Sequence, residues 1–239
     1  MKRAAFHTAR TLSRFIDKFI LLCSLIVLLF GLYIMLDVGY VYYNSSTNPP
    51  AFMKAIYREQ EPIYTMDDLG DDCVAWLKMD GTTIDYPIMF DAKSNNTFLN
   101  KGPTGKYNLA GSIFLDHRND PDFSDNYSLL YGHHMANGYM FGALDAYEDP
   151  DYMFQHQTGT LTLRNGTVYD LFVFAFSAID ATTEEVFTPS EMHDINNFIS
   201  ENTIYNGDHN DTPTLALSTC RTPGETMRTV VFCDMIPRI

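Results

Sequence analysis

The chain has 239 residues, 46% of them hydrophobic and 14% aromatic, enough for one ordinary domain with a substantial core plus an appendage, and not a composition of wholesale disorder. The formal net charge of −14 is uneven: the first 36 residues hold five of the sixteen basic residues and one of the thirty acidic ones, which leaves eleven against twenty-nine and a net of −18 for the rest. So acidic a body argues against nucleic-acid binding, which needs Lys and Arg to neutralise phosphates, and against lying flat on an anionic lipid surface; solubility is the plain role of most of this charge.

Phe19 to Leu36 is an 18-residue run without a charge. As a helix it spans roughly 27 Å at about 1.5 Å per residue, close to the hydrocarbon thickness of a bilayer. Tyr33, Tyr40, Tyr42 and Tyr43 follow towards its outer end, where aromatic rings favour the interface, and the basic residues before it favour a cytoplasmic N-terminus. A cleaved signal peptide would have a shorter apolar region and a small-x-small site, and Asp37-Val38-Gly39-Tyr40 offers none. The expected organisation is a basic cytoplasmic tail (1–18), a single membrane anchor (19–36), a linker with a short helix near Ala51–Gln60 (37–69), and an extracellular domain (70–239).

From Cys73 onward the pattern becomes short apolar runs separated by turn residues. Val74–Met79, Thr83–Phe90, Ser112–Leu115, Ser128–Tyr131, Thr160–Leu163, Tyr169–Ser177, Thr214–Thr219 and Thr229–Asp234 read as strands. Asn165-Gly166 between the fifth and sixth is a hairpin-turn signal. The segment 180–211 carries a helical stretch near Ser190–Ser200, started after Pro189. The fold class is mainly β with α insertions, a small closed barrel.

Cys23, Cys73, Cys220 and Cys233 show neither a C-x-x-C pair nor zinc spacing, so no metal is expected. Cys220 ends the apolar run Leu215-Ala-Leu-Ser-Thr-Cys220, Tyr131-Gly-His-His-Met135 is another strand end, and Arg228 opens the last strand. If the loop between the last two strands closes in simple register, Cys220 faces Arg228, because directly opposed residues share a face with Cβ atoms about 4.5–5.5 Å apart. Cys233 then lies about 16 Å along the strand at roughly 3.3 Å per residue, too far from Cys220 for a disulfide, which needs Cα atoms within about 7 Å. A thiol outside the cell with a cationic neighbour suits nucleophilic attack: a histidine exchanges the proton, and a permanently charged arginine holds an oxyanion. From spacing alone, a small buried cysteine and a solvated rim arginine remain open readings.

At these residues the chain resembles the class B sortases, transpeptidases that attach proteins to Gram-positive cell walls. The resemblance rests on Val74-Ala-Trp-Leu77, Gly81-Thr-Thr-Ile-Asp-Tyr-Pro87, Gly111-Ser-Ile-Phe-Leu-Asp116 with Arg118 and Asn119, Tyr131-Gly-His-His-Met135, Met140-Phe-Gly142 and Ala216-Leu-Ser-Thr-Cys220. The first residue of the last block departs from the family's T-L-S-T-C. The resemblance implies an eight-stranded sortase barrel, with Cys220 as nucleophile, His133 rather than His134 as its partner, and Arg228 rather than Arg221 at the oxyanion. It implies cleavage after Thr in a sorting signal of N-P-x-T type or a variant, through thiolate and imidazolium. The thioacyl enzyme then passes to a peptidoglycan amine without metal or cofactor. It also implies substrate contacts at Asn95, Asn96, Leu99, Tyr131 and Ser218, with one groove wall drawn from 180–211. The expected partners are surface proteins bearing the signal, the peptidoglycan acceptor and the membrane.

Three other readings compete. A pilin-polymerising sortase would use a lysine amine. A papain-type protease lacks its C-G-S-C-W block and places histidine after cysteine, whereas here it precedes, and the caspase-type Q-A-C block is absent too. A non-catalytic surface-binding module explains the anchor and the β-rich body but gives no reason for an arginine opposite a cysteine.

Overall fold

The structure is a computed structural model that describes residues 2–45, 65–135, 138–203, 205–207, 209, 212–220 and 226–238. The expected helix near Ala51–Gln60 lies outside them. The chain divides into two compact units, Met1–Val41 and Tyr42–Ile239.

The first unit is helical. Helix α1 runs Lys2–Ser45, continuing past the expected end at Leu36, and its stretch Ile16–Val41 is long and apolar enough to cross a membrane, with none of it buried against protein.

The second unit is a barrel. Its strands are β1 (Cys73–Met79), β2 (Asp85–Met89), β3 (Ile113–Leu115), β4 (Tyr127–Tyr131), β5 (Thr158–Leu163), β6 (Val168–Asp180), β7 (Tyr205–Asn206), β8 (Thr214–Cys220) and β9 (Met227–Pro237). Neighbours follow the order β5-β1-β2-β3-β4-β8-β9-β6, and β6 returns to β5, which closes a ring of eight. The two-residue β7 adds to β6 at Ala175 and Phe176. Pairing is antiparallel except for β2–β3 and β4–β8.

The strands form at the short apolar runs, and β1 and β5 show the period-2 alternation most cleanly. In β1, Cys73, Ala75, Leu77 and Met79 are buried, while Val74, Trp76 and Lys78 between them are less so. In β8 and β9 the alternation vanishes, and Thr214–Thr219 and Thr229–Met235 are buried throughout, because both faces are covered. The outer cover is the 181–203 segment, with short helix α3 (Glu184–Phe187) and helix α4 (Ile195–Asn202). Val186, Phe198 and Ile199 pack on Phe174, Ala216, Val230 and Phe232; full burial of a side chain such as Phe198 contributes roughly 2–3 kcal/mol. Helix α2 (Pro150–Gln155) lies between β4 and β5 in the chain.

One expectation changes in detail and one holds. The helical stretch placed at Ser190–Ser200 begins at Ile195: Pro189–Glu191 makes only a 3-10 turn, and the Asp194 carboxylate caps the real helix by accepting from Asn197 N–H at 3.0 Å. The hairpin at Asn165-Gly166 forms as expected, with Gly166 at φ 90° and Asn165 Oδ1 accepting from Thr167 N–H.

Candidate active site

Three neighbouring strands deliver the three chemistry-bearing residues to one end of the barrel. Strand β8 is central, with β4 parallel on one side and β9 antiparallel on the other. Tyr131 is level with Ser218, and Gly132 N–H still donates to Ser218 O at 3.1 Å, so the two strands leave side by side, His133 following one and Cys220 the other. On the far side, Cys220 pairs with Arg228 in an unbroken register from Thr214↔Asp234. That register also sets Cys233 opposite Leu215, and Cys233 is a buried free thiol.

The histidine loop is held by close backbone approach. Phe141 N–H donates to His133 O at 3.1 Å, and Met140, at φ 51°, donates its N–H to the Tyr86 hydroxyl at 3.0 Å. The His133 ring bonds Leu99 O through Nε2 at 2.7 Å. A carbonyl only accepts, so Nε2 carries a hydrogen, and Nδ1 is left for proton exchange. His134 turns elsewhere, with Nε2 2.7 Å from Asp145 Oδ2.

Two glycines of the loop have no room for a side chain. A Cβ on Gly132 would strike Ile113 Cδ1 and lie 2.7 Å from Phe141 Cδ2, both on buried residues, and one on Gly142 would strike the carbonyl oxygen of Met135. Gly132→Ala is expected to cost about 1–3 kcal/mol of stability and, by displacing His133 by even 1 Å, about 10²-fold in turnover. Gly142→Ala meets backbone rather than side chain and is expected to lose more. Turnover per titratable active site, beside the melting temperature, checks both.

A groove of about 350 Å³ opens here, lined by Asn95, Asn96, Leu99, Tyr131, His133, Ser218 and Arg228 together with Phe114, Gly132, Ala181, Phe187 and Thr219. All five residues expected to touch substrate therefore share one cleft with His133 and Arg228. Ala181 and Phe187 belong to the segment expected to form a wall. Ser218 Oγ is buried without a hydrogen-bond partner among the described residues. Asn95 is already engaged, donating to Asp116 Oδ2 at 2.9 Å and accepting from His117 N–H at 2.8 Å.

That contact leads to a network the sequence reading left without a role. Asp116, fully buried at the end of β3, accepts from Arg118 Nε and Nη2, each at 2.8 Å, and from Arg118 N–H. Arg118 Nη2 also donates to Phe187 O, as does the Tyr131 hydroxyl at 3.4 Å, while the Tyr127 hydroxyl donates to Val186 O at 2.9 Å. Three side chains of the barrel thus grip the groove wall. An acidic residue directly after the apolar run Ile113-Phe-Leu115, with arginine two positions on, was the available signal. Burial pushes the Asp116 carboxyl up, but hydrogen bonds and charge from Arg118, with Asn95, outweigh it and hold it below the ordinary carboxylate range. A depressed folded value stabilises the protein above the unfolded pKa of about 3.9 and is lost as pH falls through the folded value. Asp116→Asn is expected to cost about 3 kcal/mol at pH 7, because it strands Arg118. The difference from wild type should shrink below about pH 4, read by urea melts at pH 7 and pH 3.

A closed barrel in which His133 and Arg228 line one cleft, with Cys220 paired to Arg228 in the ladder, defines a candidate site for acyl transfer. The sortase domain model matches residues 77–236, and the chain belongs to the sortase family, whose members are cysteine transpeptidases. It is similar to Sortase B of Listeria monocytogenes, 33% identical over 140 residues that span 58% of this chain and 55% of that protein, so the match covers about half of that relative's length. It is similar to Sortase B of Staphylococcus aureus, 29% identical over 185 residues, 73% of this chain and 74% of that protein. Among solved structures, a Streptococcus pyogenes class B sortase involved in pilus biogenesis aligns with a TM-score of 0.66 at 32% identity, over 72% of this chain and 97% of that one. These likenesses place the chain in class B.

Proposed function

We propose that this chain is an extracellular transpeptidase, anchored by α1 with its N-terminus in the cytoplasm, that cleaves a sorting signal after threonine and joins the new carboxyl end to a peptidoglycan amine. In this reading residues 19–36 are the anchor and 70–239 the catalytic domain. The observation that carries it is the convergence of β4, β8 and β9 at one groove, with Cys220 in register with Arg228 and His133 at the adjoining strand end.

The chemistry follows from the positions. The Cys220 thiolate attacks the threonine carbonyl carbon; a C–S bond forms, and the carbonyl electrons move to oxygen. The Arg228 guanidinium, charged at any relevant pH, stabilises that oxyanion. Collapse breaks the C–N bond as imidazolium His133 protonates the leaving amine through Nδ1, leaving a thioester. The acceptor amine then attacks, His133 takes its proton, the C–S bond breaks, and an amide remains. Leu99, Phe114, Tyr131 and Phe187 supply apolar walls for an extended peptide, and the unpartnered Ser218 hydroxyl offers it a buried hydrogen bond.

The test is mass spectrometry of the full-length chain in detergent, incubated with threonine-containing sorting peptides and an amine acceptor. A thioacyl adduct on Cys220 and a ligated product support the reading. Cleavage without ligation, whatever amine is present, would mean a protease, and no adduct with an inert Cys220 would mean a binding module. The 32% identity to a pilus-associated sortase favours one second reading, pilin polymerisation. Competition between a peptidoglycan stem peptide and a lysine-bearing pilin peptide separates the two.

A further inference from the structure

The groove residues explain how peptide and thiol could meet, but not what keeps the histidine loop at a set distance from β8 and β9. Asp145 sits outside the groove, in the 3-10 helix Phe141–Glu148, whose first N–H binds His133 O. Its two carboxylate oxygens bind two different pieces of the site. Oδ2 lies 2.7 Å from His134 Nε2, and Oδ1 accepts from Thr229 Oγ1 at 2.9 Å. A carboxylate accepts, so His134 Nε2 carries the hydrogen. His134 is the neighbour of His133 in the chain. Thr229 is fully buried, adjoins Arg228 in β9, and pairs with Thr219, the residue before Cys220.

We propose that Asp145 is a positioning residue: a single carboxylate that ties the loop carrying His133 to the strand pair carrying Cys220 and Arg228, and so sets the separation of the three. The inference rests on the transpeptidase reading above. It gives a reason for the second histidine of the Tyr131-Gly-His-His-Met135 block, which the groove does not use. A partly exposed carboxylate–imidazole contact contributes little to stability by itself. A displacement of about 1 Å at the reacting groups is worth about 10²-fold in rate. The effect should therefore show in turnover before it shows in folding.

The full-length chain in detergent serves for the test, with rates normalised to Cys220 titrated by active-site alkylation. Asp145→Ala is expected to lower kcat for sorting-peptide cleavage by about 30- to 100-fold with KM within about twofold. Thr229→Val, nearly isosteric, should lower kcat in the same way, whereas Thr229→Ser, which keeps the hydroxyl, should restore it. The Asp145→Ala/Thr229→Val double variant should be little worse than Asp145→Ala alone, since both remove one link. If Asp145→Ala does not fold, the Val and Ser variants at Thr229 decide the matter. A kcat within twofold of wild type in folded Asp145→Ala or Thr229→Val, or equal losses in Val and Ser, overturns the proposal. The rate of Cys220 alkylation by iodoacetamide is read alongside, because it needs no peptide. Slowing in Asp145→Ala and Thr229→Val but not in Thr229→Ser supports the positioning role even if no peptide is turned over, and an unchanged rate in all three overturns it.

Discussion

Cys220→Ala is expected to abolish both peptide cleavage and amide formation, a loss of roughly 10⁴-fold or more, while Cys73→Ala and Cys233→Ala keep wild-type turnover. The size follows from the role: deletion of a covalent nucleophile in a hydrolase that acts through a concerted set of residues costs about 10⁶-fold. The contrast follows from burial. Cys73 is wholly buried, and burial pushes its thiol up to about 11, so it stays protonated at neutral pH. Cys233 is buried in the core beside Asp234, and both burial and that carboxylate raise it well above the usual thiol range. Neither supplies a thiolate, and each packs as a small hydrophobe. Peptide mapping after limited alkylation, in parallel with turnover, reads both halves. Turnover surviving Cys220→Ala would remove the thiol from the mechanism, and a loss confined to Cys233→Ala would point to the core instead.

Arg228→Ala should lower kcat by about 10³-fold and Arg228→Lys by about 10²-fold, with KM for the sorting peptide changed much less. A donor aimed at a developing oxyanion is worth about 10²–10³ in kcat. Lysine keeps the charge but loses the planar fork, so it recovers only part. Arg228 is half-buried in the groove and opposes Cys220 in the ladder, and its charge reaches Tyr131, where it draws the phenol down against the larger upward pushes of burial and Asp116. Pre-steady-state acylation separates the roles. A fall in the acylation rate constant places Arg228 at the oxyanion, whereas a rise in KM with unchanged acylation would assign it to peptide binding.

Much of this was legible before any fold was in hand, for local reasons. The short apolar runs bounded by turn residues located all eight barrel strands, because each strand must bury at least one face; β6 and β9 run longer than their apolar stretches, Val168–Asp180 and Met227–Pro237, since pairing with each other carries the ladder on. The pairing of Cys220 with Arg228 was also derivable, because two strands joined by a short loop have few registers available. The start of α4 was misplaced because proline signals a helix start without specifying which polar residue will cap it, and Asp194 won.

The sequence by itself therefore determined a long apolar N-terminal helix, a β-rich body with a closed-barrel pattern, and a cysteine paired with an arginine across one ladder. Each of these depends on residues near one another in the chain. The tertiary structure supplied the contacts that part the two adjacent histidines: His133 takes Leu99 O, 34 positions earlier, while His134 takes Asp145. It alone engaged Asn95 with Asp116, joined Arg118 to Phe187 across 69 positions, and joined Asp145 to Thr229 across 84. The reason is physical. Periodicity records which face of a strand is buried, but the partners of a buried polar group are chosen by barrel closure, which brings together strands such as β4 and β8 that are remote in the chain.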